Sequence, residues 1–144
     1  MKPKHFLNAL DETRLLEAIR AAEARTSGEI RLVIAHRPAP DPLFAAQKHF
    51  DRLGMANTRE RNAVLLFIAP KSHTFAIIGD SAVHAKCGQP FWDDVAATLG
   101  THFKKNEFTE GLLAAIERAG TLLAAHFPRR DDDRNELSDQ IVQD

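Results

Sequence analysis

The sequence predicts an α/β fold, a small mixed sheet with helices on both faces, and three observations carry that prediction. Helical and strand periodicities follow one another in the order helix, strand, helix, strand, strand, helix, helix. The helix between the first two strands forms a crossover, which makes those strands parallel and right-handed in connection. The short link "PKSH" (Pro70–His73) turns the third strand antiparallel to the second.

Between Asn8 and Thr26, Leu15, Leu16, Ile19 and Ala22 recur at helical spacing while Glu17, Arg20 and Glu23 fall elsewhere on the wheel. Asn8 or Asp11 can cap this helix, and Gly28 can end it. "EIRLVIAH" alternates as a strand, with Arg31 placing one face or an edge near solvent. Asp41 followed by Pro42 starts the next helix, because aspartate caps the first unpaired amides and proline fits the first turn. Its expected buried stripe is Leu43, Ala46, Phe50 and Leu53, and Gly54 stops it. The uninterrupted apolar run Ala63–Ala69 reads as a central strand covered on both faces, and "TFAIIG" returns beside it. Two helices complete the core. One begins near Gln89 and Pro90 and carries Trp92, Val95, Ala96, Leu99 and Phe103; the other carries Phe108, Leu112, Ile116, Ala119, Leu123 and Phe127.

A chain of 144 residues suits one core. Its net charge of -1 supplies no field to gather polyanions, so nucleic acid is not an expected partner. Charges interrupt the amino-terminal stretch every few residues, unlike a secretory leader. No segment reaches the roughly 18 apolar residues of a membrane span, so direct membrane insertion is not expected and a cytoplasmic location is. From Arg129 onward the chain is charged and poor in core residues, which reads as a tail.

The strand directions bring the starts of the first two strands and the end of the third to one edge of the sheet. Glu29, Arg61, Asn62, Asp80 and Ser81 should gather there. Asp80 with Asn62, Glu29 and His84 forms an oxygen-rich set suited to a hard divalent cation, calcium or magnesium. Arg59 and Arg61 pull the other way, as guanidinium forks that bind phosphate or neutralise carboxylates.

Competing motifs are weaker. "IIGDSAVH" resembles the Gly-Asp-Ser signature of GDSL-type esterases, but the paired Asp and His that those enzymes carry near the carboxyl end are missing, and Ser81 reads as capping a helical turn. Cys87, the one cysteine, lacks the arginine six residues on that a cysteine phosphatase needs; Asp93 stands there. No His-x-x-x-His pair marks a zinc hydrolase.

Four segments, in order, resemble the TPM domain family, specifically its small soluble bacterial branch: "RTSGEIRLVI", "FDRLGMANTRERNAVLLFIAP", "FAIIGDSAVHAKCGQPFWDDV" and "HFKKNEFTEGLLAAIERAGTLLAAHFP". The tail "NELSDQI" is similar to that branch's ending. The resemblance implies a three-layer α/β/α sandwich over residues 1–128, with 129–144 as a charged tail. Its members include a thylakoid-lumen protein linked to photosystem II repair and described as an acid phosphatase, and it implies calcium-type cations at loops on the sheet edge. Where the broader family has Asp-Asn-Gly before the second strand, this chain has Arg61, Asn62 and Ala63. Where the family has Gly-Tyr-Gly-Leu-Glu after the third, this chain has Gly79, Asp80 and Ser81, with His84 near the glutamate position. Two acidic positions are lost and one is gained, which weakens a calcium site.

The expected function is a divalent-cation-binding interaction or quality-control module with a protein partner, in a membrane-associated complex. The alternative is a weak metal-assisted acid phosphatase. There Asp80 would be the principal metal ligand, Arg61 and Arg59 would hold the phosphate, and His84 would protonate the leaving group.

Overall fold

Seven consecutive apolar residues bury β2, Ala63–Ala69, on both faces, and every one of them is at most 2% exposed. This is the structure, a computed structural model, at its centre; it describes residues 1–129 and 141–143. β1 (Glu29–Ile34) runs parallel to β2, with Glu29 opposite Ala63 and Ile34 opposite Ile68. β3 (Thr74–Gly79) returns antiparallel after a 3₁₀ turn at Pro70–Ser72, with Val64 opposite Gly79. These three strands lie as expected. A fourth, β4 (Val142–Gln143), pairs parallel with Val33 and Ile34, giving the order β3-β2-β1-β4.

The period-two pleat sorts side chains into two cores. Ile30, Leu32, Ile34, Val64, Leu66 and Ile68 face one side. There they meet α1 (Pro3–Asn8), α2 (Glu12–Glu23), α4 (Ser81–Lys104) and α5 (Phe108–His126), with Trp92 fully buried among them. Val33, Leu65, Phe67, Ala76 and Ile78 face the other side, which α3 (Pro42–Arg52) covers through Ala46 and Phe50. Helices on both faces of the sheet make the three-layer sandwich.

Several local expectations change. The first expected helix is α2, capped as expected by Asp11, whose carboxylate accepts from Arg14 N at 3.2 Å, but an unexpected α1, started by Pro3, precedes it. Arg31 is buried, 8% exposed, in a strand whose six residues are all buried. Leu43 is 42% exposed instead of lying in the stripe, since the buried face of α3 runs through Ala46 and Phe50. The helix expected near Gln89 and Pro90 does begin there: α4 is two helical pieces joined at a kink at Gly88 (φ 71°), and the piece ahead of the kink, which starts at Ser81, is longer than the expected turn. Within the tail, Val142 and Gln143 join the sheet, whereas the expectation for residues 130–140 and 144 lies outside the described residues.

Candidate functional site

The ionic edge forms where strand directions require it. Asp80 follows β3, and its backbone N–H donates to Ala63 O at the start of β2 (2.8 Å). Its carboxylate, 6% exposed, caps α4 by accepting from Ser81 N at 2.7 Å. Arg61 approaches from the preceding loop and grips the same carboxylate with two donors, Nε to Oδ2 at 2.9 Å and Nη2 to Oδ1 at 3.2 Å. This is the bidentate geometry in which a planar guanidinium binds carboxylate best. The hydrogen bond to Asp80, and then its charge, hold the Arg61 guanidinium above the usual arginine range. Ala82 N donates to Arg61 O at 3.1 Å, so two of the unpaired amides at the start of α4 already have partners.

Asn62 sits one residue ahead of β2 and is 1% exposed. Its Nδ2 donates to Ser27 Oγ at 3.0 Å and to Glu60 Oε2 at 3.2 Å, and Ser27 Oγ itself donates to Glu60 Oε2. Its Oδ1 is buried without a donor, and so is Thr58 Oγ1 in the same loop. Buried polar atoms are paired in the great majority of cases, so two orphans within five residues mark this loop.

Asp80, Asn62, Arg61 and Glu29 therefore share one rim, as the topology requires. Glu29 opens β1 opposite Ala63 and is buried at 3% with an interaction of its own. Arg59 is exposed and engaged in the loop before β2. His84 lies one turn into α4, exposed, and among the described residues neither its ring nor the Ser81 hydroxyl has a hydrogen-bond partner. An activated serine needs an oriented base, which this arrangement does not assemble. Burial pushes the Cys87 thiol up, so it stays protonated and a poor nucleophile. Gln89 bonds Asp93 (3.0 Å) and Arg118 bonds Asp94 (3.1 Å), which occupies the two acids that follow Trp92. Among the described residues no three His, Cys, Asp or Glu side chains cluster as a metal cage.

Sequence reasoning missed Ser27, Thr58 and Glu60. The available signal was their position: each lies within the loop segments that flank the named residues, in "TSGE" and "NTRERN". It also missed Glu23, whose Oε2 accepts from Ile30 N at 2.8 Å. That amide points to the outer edge of β1, below the short β4, and the glutamate supplies the acceptor that a longer strand would have offered.

Comparisons with known proteins agree with this architecture. The chain is similar to the BA42 protein of the psychrophilic bacterium Bizionia argentinensis, with 37% identity over 92% of each chain and a TM-score of 0.83. It shares its fold with the N-terminal domain of a P. gingivalis protein, at a TM-score of 0.60 and 17% identity over 90% of this chain and 98% of that one. No functionally curated protein matches. The sequence model described as TPM domain matches residues 1–122. The chain thus belongs to the TPM domain family.

Proposed function

We propose that this TPM domain is a divalent-cation-responsive interaction module, in which a calcium or magnesium ion orders the loop before β2 for a protein partner. One observation carries the reading: Asn62 Oδ1 is a buried acceptor with no donor, on the same amide whose Nδ2 donates to the Glu60 carboxylate and the Ser27 hydroxyl. Hard cations take such carbonyl, carboxylate and hydroxyl oxygens. Asn62 and Glu60 would hold the ion. Of the other sequence candidates, Asp80 would have to release Arg61 first, Glu29 is already engaged, and His84 would have to swing in from the surface of α4. Arg61 in turn is a phosphate fork only when it lets go of Asp80, which is why binding is favoured here over the phosphomonoesterase alternative.

The test is thermal unfolding with added calcium, with magnesium, and with chelator. A ligand at about a hundred times its dissociation constant stabilises the native state by roughly 2.7 kcal/mol, a rise of several degrees for a domain of this size. The rise should vanish in Asn62→Ala and Glu60→Gln and persist in Asn62→Asp, which keeps an oxygen at the same place. An unchanged Tm at millimolar cation, or an equal rise in Asn62→Ala, would reject the reading.

A further inference from the structure

At the other end of the parallel strands the sheet opens into a cleft of about 770 Å³, between α3 and the loop that leaves β1. Its floor is apolar: Ala35, just past β1, Phe67 of β2, and Ala45 of α3. Its walls are basic. Arg37 comes from the loop, Lys48 and Arg52 from α3, and His49 lies over Phe67 with ring centroids 5.2 Å apart. Asp51 is the one acid in the lining, and it accepts from Gln47 at 3.0 Å. Among the described residues, three permanent cations against one carboxylate is a local excess of two in a chain whose net charge is -1.

The loop is anchored rather than loose. Ala35 N donates to Ile68 O at 2.8 Å, Ala39 N to Ser72 Oγ at 2.9 Å, and Thr74 Oγ1 to Ala39 O at 2.5 Å. Arg37 and Pro38 thus bridge two pinned points, and no carboxylate among the described residues pairs with Arg37 or Lys48. The Lys48 ammonium lies 5.6 Å from the centre of the Phe44 ring, itself 64% exposed. Arg52 Nη2 is 2.7 Å from His49 Nδ1; since a guanidinium can only donate, Nδ1 accepts and the proton of the neutral ring sits on Nε2.

Ligand crevices in α/β proteins lie outside the carboxyl ends of parallel strands, and small-molecule pockets typically span about 300–1,000 Å³ with an apolar lining and few polar groups. We propose that this cleft binds a small organic phosphate, its phosphate held by Arg37 and Lys48 and its apolar body laid over Ala35, Ala45 and Phe67. The site is distinct from the Asp80 rim, which lies at the opposite end of β1 and β2. The same phosphomonoester chemistry is offered by a soluble metabolite and by a phosphatidic acid headgroup.

The experiment is a heteronuclear NMR titration of the full chain at low salt with adenosine monophosphate, and with adenosine as the phosphate-free control. Saturable shifts confined to residues 35–52, absent with adenosine, are expected. Arg37→Glu and Lys48→Glu, both exposed and remote from the core, should each weaken binding by roughly tenfold. Lys86→Glu, an equal charge reversal at an exposed position on α4, should leave the affinity unchanged. Co-sedimentation with vesicles containing phosphatidic acid, against phosphatidylcholine alone, identifies the source. Vesicle binding lost in Arg37→Glu marks a headgroup site, and nucleotide binding without vesicle binding marks a soluble ligand. Shifts at the Arg61 loop, equal response to adenosine, unchanged affinity in both charge reversals, or no binding in either arm would overturn the proposal.

Discussion

Arg61 occupies the left-handed backbone region at φ 53°, where a side chain other than glycine, asparagine or aspartate is uncommon. Three contacts hold it there: the two-pronged grip on Asp80, its carbonyl accepting from Ala82 N, and its own N–H donating to Thr58 O at 3.4 Å. Asp80 does two things at once, capping α4 and anchoring Arg61, so the two residues should not behave independently. We expect Asp80→Ala to cost about 1 kcal/mol through the lost cap, with a further loss from the stranded guanidinium. Arg61→Asn, which keeps a side chain suited to the left-handed region, should cost measurably less in the Asp80→Ala background than alone. Urea unfolding of the four proteins checks this, and additive changes would disprove the coupling. Strand directions alone bring Asp80, Arg61 and Asn62 together, which is why that grouping was readable from sequence. That Arg61 closes on Asp80 was not, because it depends on one φ angle and on the register of a loop that carries no periodicity.

Helix spacing is set by small residues at particular crossings. A β-carbon on Gly120 would stand 2.8 Å from Ala22 Cβ and 2.9 Å from an Arg25 nitrogen, so the α5 backbone packs directly against the Ala22 methyl of α2 there. Gly120→Ala should therefore push the helices apart and cost about 1–3 kcal/mol by calorimetry or urea unfolding, the usual range for overpacking. A neutral substitution would mean that α2 can slide. Ala22 itself was legible as a core position from helical periodicity, but its pairing with Gly120 was not, since periodicity identifies a buried face and says nothing of its partner. The same limit explains Leu43. Counting in threes and fours placed it with Ala46 and Phe50, yet among the described helices α3 alone covers its face of the sheet, and its first turn leaves both Leu43 and Phe44 exposed. The kink in α4 was legible. The sequence "CGQP" carries every sign of a helix beginning, and Gly88 does interrupt the backbone there; what was underestimated is the piece ahead of it, about two turns under the Asp80 cap.

For the molecule as a whole, the weak place in a small mixed sheet is its open edge. β2 is flanked on both sides, and β3 ends the sheet on one side. On the other, β1 would expose the unpaired amides of its even-numbered residues. Glu23 satisfies the lower one at Ile30, and β4 covers the upper part at Val33 and Ile34. Ile141 packs against the core shared by α2, α4 and α5, while Val142 packs against the α3 core, so these two neighbouring residues join both layers of the sandwich. Composition hid this, because two apolar residues after a long charged run fall below any periodicity signal. Removing residues 141–144 should lower stability by about 1–3 kcal/mol, the amount for two partly buried aliphatic side chains. It should also leave a strand edge that templates pairing with another chain. Urea unfolding reads the first effect. Sedimentation at rising concentration reads the second, with association expected for the truncated protein and not for the full chain. Equal stability and a monomer at all concentrations would show that the β4 pairing contributes nothing in solution and that Glu23 alone suffices to close the edge.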